Sequence, residues 1–299
     1  MVPGEDAFAL RFLRANKFEY EEAHAMVRAY YRLQNKICPE LFVTETLESR
    51  VGPVFQDNVL VLLPSKSINS QPMIVCTPSF WSPDNYSFDQ LLAAFVVCLE
   101  VLLASPANQL TGIVVILDLT DVSWTQVKSF GPNDARKLVF LVQDAYPARL
   151  AKIHVLNKSQ LAKMATQVIK PFISPDLTSK TKLHSESGTL AQELGSDSLP
   201  QELGGRNGNL DGYECFNNVV LPSKAIITRY WTSSGFGILP SEEEEEEDKD
   251  PGIGSQLKST ASSHLSSLKQ LASSKGEPLL ENFQNKIPDV MTNLSSFFK

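Results

Sequence analysis

The sequence predicts an α/β fold, a mixed sheet covered by helices, preceded by a short all-helical segment. Two strand-like runs, Gly112 to Leu119 (GIVVILDL) and Ile153 to Asn157 (IHVLN), flank a helical stretch. GIVVILDL carries no charge before Asp118, and a strand that apolar is covered on both faces, as in a sheet buried under helices. Strand, helix, strand in that order is a βαβ unit, with a connection long enough for a parallel crossover.

The remaining elements follow in chain order. From Glu5 to about Asn35, Phe8, Leu10, Phe12 and Leu13, then Ala23, Met26, Val27, Tyr30 and Tyr31, recur at helical spacing. Asn16-Lys17-Phe18 breaks the stretch into two helices, with Glu19, Glu21 and Glu22 suited to the second N-terminus. The chain begins almost inside the first helix, which suggests a truncated or alternative start. Val59–Leu63 (VLVLL) and Met73–Thr77 (MIVCT) read as strands of a hairpin around a Ser- and Asn-rich connection. Ser87 can cap a helix from about Phe88 to Leu103. The segment Gly131–Leu150 supplies the crossover helix, ending near Tyr146-Pro147. A helix from Ser159 to Ile169 stops at Pro171, a strand follows near Thr181–His184, and a turn-rich region ends in Leu199–Gly205.

At 299 residues, 42% hydrophobic and 20% charged, the composition is that of a globular protein. No apolar run reaches the roughly 18 uncharged residues that span a bilayer; the best, Leu91–Ala104, is short and contains Glu100. Acidic residues at Glu5 and Asp6 and the lack of an apolar signal region argue against secretion. Cys38, Cys76, Cys98 and Cys215 are widely separated, which fits a reducing, cytoplasmic setting and neither a zinc site nor a disulfide framework. The run 242–250 (EEEEEEDKD) accounts for the whole net charge of −7 and leaves the body neutral. A neutral body with an acidic run argues against nucleic acid as a partner. The composition changes after about Pro240. The remainder reads as a disordered tail with weak helices, or as a membrane-surface or partner-binding helix carrying Leu280, Phe283, Ile287, Met291, Leu294 and Phe298. The organisation expected is a helical segment over 1–50, an α/β domain over 51–210 and an extension over 211–299.

Signals for chemistry are sparse. There is no GxSxG elbow and no GxxxxGK[ST] loop, and Gly204–Gly208 follows no convincing strand. Asp118, at the carboxyl end of a strand, is placed for a catalytic or ribose-binding role, or for capping a loop. His154 reads as a hydrogen-bonded structural histidine inside a strand, His184 stands alone near a strand end, and no pair has metal-ligand spacing. The helix Phe88–Leu103 is apolar nearly all round, so it is either fully buried or lines something apolar.

Asp6–Phe18 (DAFALRFLRANKF), Trp81–Tyr86 (WSPDNY), GIVVILDL, Gln143–Pro147 (QDAYP), IHVLN, Lys170–Phe172 (KPF) and Leu199–Gly205 (LPQELGG) follow one another over roughly residues 5–210. In that order they resemble the motifs of the CRAL-TRIO lipid-binding family, in its alpha-tocopherol transfer protein-like and clavesin-like branch. The resemblance implies an apolar cavity in the α/β lobe that holds one hydrophobic molecule for carriage between membranes, and no catalysis or cofactor. It implies a lining of Leu92, Phe95, Leu99, Ile113, Leu141, Val142 and Ile153; the first three share a helix face at i, i+3, i+7. Phe95 stands where a smaller residue is expected. The resemblance implies a mobile lid over Ser159–Ile173 with Leu161, Met164, Val168 and Ile169 as its apolar positions. Asn157-Lys158-Ser159, Lys163 and Gln167 make this lid more polar than the family pattern. It implies phosphoinositide contacts from Arg149 and Lys180, with Lys152 and Lys182 nearby, whereas Asn16, Ala151 and Asp176 occupy positions where basic residues are expected.

The expectation is therefore a monomeric cytoplasmic carrier of a tocopherol-like or retinoid-like lipid that associates transiently with anionic endosomal or Golgi membranes. The alternatives are a lipid-sensing adaptor in trafficking and an α/β enzyme using Asp118.

Overall fold

The computed structural model describes residues 5–42, 44, 46–156 and 167–232, all of which belong to one compact unit, Met1–Leu239. Two helices lead, α1 (Glu5–Ala15) and α2 (Tyr20–Arg32). The break between them falls at Lys17 and Phe18, whose φ angles of +54° and +67° no helix continues through. Helix α3 (Leu47–Gln56) then feeds a hairpin of β1 (Leu60–Leu62) and β2 (Met73–Cys76), paired antiparallel.

Helix α4 (Phe88–Leu103) follows; the Ser87 hydroxyl accepts from the Gln90 amide while the Gln90 side chain accepts from the Ser87 amide, so both caps close reciprocally. The short α5 (Pro106–Thr111) ends at Gly112, whose φ of +79° turns the chain into β3 (Ile113–Asp118). A Cβ at Gly112 would lie 3.0 Å from the Arg149 carbonyl oxygen, so this corner suits glycine on both counts. Helices α6 (Trp124–Ser129) and α7 (Pro132–Phe140), the latter extended by a π-helical turn over Leu141–Ala145, lead to β4 (Leu150–Leu156). Beyond it come a 3₁₀ turn at Lys170–Phe172, α8 (Pro175–Lys180), β5 (Thr181–His184) and α9 (Ser187–Leu194). Helix α9 lies where turns were expected, because its period of Leu190, Ala191 and Leu194 is too short to stand out.

The strand order is β1-β2-β3-β4-β5, with every pair after the hairpin parallel. Each crossover steps one place in the same direction. Right-handed crossovers without a reversal deliver all connecting helices to one face of the sheet. The packing agrees. Ile74 and Ile113 share an apolar cluster with α4, α7 and the N-terminal helices, whereas Met73, Val75, Val114, Ile116 and Leu156 pack against Leu190, Leu194, Leu199 and Leu203 on the other face. We call these the crossover face and the back face.

Residues 212–232, which the sequence reading assigns to an extension, are helical and packed. They form α10 (Gly212–Cys215), further single turns and α11 (Lys224–Thr232). They bury Cys215, Phe216, Val220, Ile227 and Trp231 in the crossover-face core. The N-terminal helices join that same core through Phe8, Phe12 and Tyr30, whose rings meet edge to face at 5.3–5.6 Å. The acidic run 242–250 and the apolar positions from Leu280 onward lie outside the described residues.

Candidate functional site

The two faces of the central strands are packed unequally. On the back face Met73, Val75, Val114 and Ile116 are at most 1% exposed. On the crossover face Ile74 and Ile113 are sealed as well, but their neighbours Cys76, Val115, Leu117 and Ile153 are only half-buried. The register sets Val115 beside Ile153 and Leu117 beside Cys76, so these side chains form one patch in the middle of the sheet. Apolar groups at the centre of a five-stranded sheet are ordinarily sealed, so this shared partial exposure sets the patch apart from the back face, although Leu117 and Ile153 also touch a small cluster of Leu119, Val122, Val127 and Val155.

The crossover helices pack on the same face as this patch. Leu92, Phe95 and Leu99 on α4 are buried in the apolar cluster that also holds Ile113, Leu141, Val142 and Ile153. Of the expected lining, Leu92, Leu99, Ile113 and Leu141 are at most 1% exposed and packed into that cluster, Phe95 is 7% exposed, and Val142 and Ile153 alone are half-buried. Leu138 and Val142, four apart, remain half-buried and face the same cluster, and Phe130 meets Phe88 edge to face at 5.2 Å. The π-helical turn explains the placement of Leu141 and Val142. One extra residue per turn rotates the end of α7, burying Leu141 fully while leaving Val142 at the patch.

Glu100 interrupts the apolar run of α4 and is matched by the N-terminal helix. Glu100 on α4 accepts a hydrogen bond from Arg11 Nη1 at 2.8 Å, and both side chains are almost wholly buried. The Tyr146 hydroxyl donates to the other carboxylate oxygen, and the Arg11 guanidinium sits 3.7 Å from the centre of the Tyr230 ring. Burial, with the Glu100 charge behind it, holds the Tyr146 hydroxyl well above its ordinary pKa. The network ties α1, α4, the end of α7 and α11 into one rigid wall, and sequence spacing held no sign of it.

Of the expected lid, Leu161 and Met164 lie outside the described residues. Val168 and Ile169 are half-buried. The exit from this segment is pinned, because the Ser174 amide donates to Gln143 Oε1 at 2.7 Å and the Ser174 hydroxyl caps α8.

Arg149 and Lys180 immediately precede β4 and β5, Lys152 and Lys182 lie on the back face, and two of the four are paired with carboxylates. Arg149 is exposed and donates to the Leu110 carbonyl at 3.1 Å. Lys180 pairs with Asp176 at 2.6 Å, and Lys182 pairs with Glu193. Lys152 is exposed and shares the back face with Lys182. Asp176 therefore does more than lack a positive charge; it takes up the one on Lys180. Asn16 donates to the Phe12 carbonyl and stabilises the α1–α2 break, and Ala151 is half-buried.

Asp118 is engaged locally. Its Oδ1 accepts from the Thr120 amide at 2.9 Å and the Thr120 hydroxyl at 2.5 Å, closing a turn at the end of β3. Among the described residues no helix is long and apolar enough to cross a membrane. What sequence spacing missed is a cluster on the back face, where His154 and His184 meet at 2.8 Å beside Glu193.

Comparison with known proteins agrees with this architecture. The family described as CRAL/TRIO domain matches residues 56–205, and CRAL/TRIO, N-terminal domain matches residues 2–29. The chain is 33% identical over 221 residues to the alpha-tocopherol transfer protein-like protein of Homo sapiens, covering 74% of this chain and 64% of that protein. It is 29% identical over 204 residues to clavesin-2 of Mus musculus, covering 67% and 62%. The chain thus spans less than two thirds of the length of these relatives. The crystal structure of Sfh5 matches with a TM-score of 0.52 at 17% identity, over 72% of this chain and 76% of that one, a likeness of fold alone. An ordered helical lead, a sheet that begins antiparallel and turns parallel, and the two matches that run through both parts make the chain a member of the CRAL/TRIO domain family.

Proposed function

We propose that this protein binds one small hydrophobic lipid between α4, α7 and the crossover face of the sheet, and carries it between membranes. The observation that supports the reading is the half-buried apolar patch of Cys76, Val115, Leu117 and Ile153, opposite a back face packed shut. An apolar guest covering that patch gains about 0.8 kcal/mol per methylene removed from water. A chain of some twenty carbons then gains on the order of 10 kcal/mol before ordering costs. The names of the relatives point to a tocopherol-like cargo, and Phe95 in the α4 wall narrows the space it would occupy.

The basic residues support a second, finer element. Arg149, Lys152, Lys180 and Lys182 form a contact for anionic lipid headgroups, with Asp176 and Glu193 as competing carboxylates. This contact is peripheral and transient, at endosomal or Golgi surfaces reached from the cytoplasm. A phosphoinositide there would have to displace both ion pairs.

The deciding experiment is lipid extraction and mass spectrometry of protein purified from cells, for wild type and Leu99→Asp. The expected result is one lipid class in near-stoichiometric yield in wild type and its loss in the variant. An equal lipid yield from a folded Leu99→Asp protein refutes the chamber.

A further inference from the structure

His154 and His184 are 30 residues apart in sequence, yet parallel pairing of β4 with β5 sets both on the back face. The register opposes His154 to Lys182 and Leu156 to His184, so the two imidazoles approach diagonally. His154 Nδ1 lies 2.8 Å from His184 Nε2, and Glu193 Oε2, from α9, lies 3.5 Å from the same Nδ1. The three donor atoms all fall within 4.8 Å of one another. His154 is 1% and His184 3% exposed.

The proton inventory fixes the direction of the lone pairs. The Thr189 hydroxyl donates to the Glu186 carbonyl at 2.8 Å, so toward His184 Nδ1, at 2.9 Å, it can only accept. His184 therefore carries its proton on Nδ1 and turns the lone pair of Nε2 into the cluster. This is the outer-shell arrangement that orients a metal-ligating histidine. Glu193 is held through one oxygen by Lys182, while its Oε2 is buried and has no hydrogen-bond partner. Burial first, then the charges of His184, Lys152 and Lys182, lowers His154 to about 4, and burial lowers His184 also. Both rings are thus neutral at ordinary pH; His184 offers its Nε2 lone pair directly, while His154, whose Nδ1 donates to it, would shift its proton to the buried Nε2 to free Nδ1 for a metal. A single N–H between two ring nitrogens leaves the carboxylate oxygen over; a metal ion would engage all three.

We propose that His154 Nδ1, His184 Nε2 and Glu193 Oε2 bind one divalent transition-metal ion of the zinc class, clamping β4, β5 and α9 together on the face opposite the lipid chamber. Two imidazoles and a carboxylate suit zinc and disfavour magnesium or calcium, which take oxygen ligands. Zinc–nitrogen bonds of about 2.0–2.1 Å require the ring nitrogens to separate to roughly 3.3 Å in a tetrahedral site, a small opening from the present contact. The fourth position falls on the half-buried Glu193 side and takes water. Lys182 is the competing cation; its side chain is 49% exposed and can turn to solvent when the ion binds.

The test uses the full chain stripped with a chelator and titrated by calorimetry with zinc chloride, then with magnesium chloride. Zinc should bind one to one and magnesium should not bind. Cobalt(II) should give the visible absorption of a tetrahedral site. Glu193→Gln, which keeps an acceptor for Lys182, should weaken zinc binding at least about tenfold, and Thr189→Val, which removes the outer-shell partner, about 10–100-fold. The four cysteines are rival zinc ligands, and the variants separate them from this site. Absence of zinc binding, or binding equal in wild type, Glu193→Gln and Thr189→Val, overturns the proposal. Because Thr189→Val is nearly isosteric, it carries the test if Glu193→Gln fails to fold.

Discussion

Val114 and Val115 are adjacent on the central strand, and their environments are opposite. Val114 points to the back face and is 1% exposed, whereas Val115 points to the crossover face and is half-buried. Replacing each in turn by Phe gives a test of the chamber that does not depend on knowing the cargo. At Val114 the added carbons have nowhere to go; overpacking a sealed core costs about 1–3 kcal/mol. At Val115 they enter the proposed lipid chamber. Four added carbons could gain up to about 3 kcal/mol if they left water completely, and partial burial gains less, so Val115→Phe should be neutral or mildly stabilising. Urea denaturation at constant m-value reads the difference as a shift in midpoint, lower for Val114→Phe and unchanged or higher for Val115→Phe. The same samples, extracted and weighed for lipid, should show that Val115→Phe loses cargo while Val114→Phe keeps it. Equal destabilisation by the two substitutions would mean that both faces are packed solid.

Three further outcomes follow from the geometry. Glu100→Gln leaves the Arg11 guanidinium buried without its counter-charge and should cost about 3–5 kcal/mol, while the double replacement Arg11→Met with Glu100→Leu should recover most of it; a denaturation cycle in which Glu100→Gln alone costs nothing contradicts the network. His154 sits at about 4 in the folded chain against an ordinary 6.5, so the unfolded chain binds the extra proton between those values. Stability should therefore be full above pH 6.5 and decline by up to about 3 kcal/mol as pH falls through that window; in chelator, His154→Asn should flatten this part of the profile, and an unaltered slope rules the histidine out. Arg149→Glu combined with Lys180→Glu should reduce sedimentation with anionic phosphoinositide vesicles and leave neutral vesicles unaffected, and identical sedimentation with the parent protein would remove the headgroup contact.

What the sequence determined by itself is local or periodic. The apolar run of Gly112–Leu119 marks a doubly covered strand because no other placement hides so many branched side chains from water. Ser87 marks the start of α4, and Asn16-Lys17-Phe18 marks the break between α1 and α2, because caps and left-handed residues act within a few positions of themselves. The shared face of Leu92, Phe95 and Leu99 follows from helical spacing alone. Helix α9 and the packed segment 212–232 escaped such a reading, since short elements owe their stability to what they dock against.

Tertiary structure alone decided which distant groups meet. Arg11 reaches Glu100 across 89 positions, and no periodicity encodes that contact. Register decided that His154 and His184 share a face, since a slip of one residue would send either ring to the opposite side. Docking of α9 likewise decided that Lys182 faces Glu193, whereas the Lys180–Asp176 pair is a local i,i+4 contact within α8. The gathering of the connecting helices on one face arises from crossovers that all step in one direction, a property of strand order that exists only once the sheet is assembled.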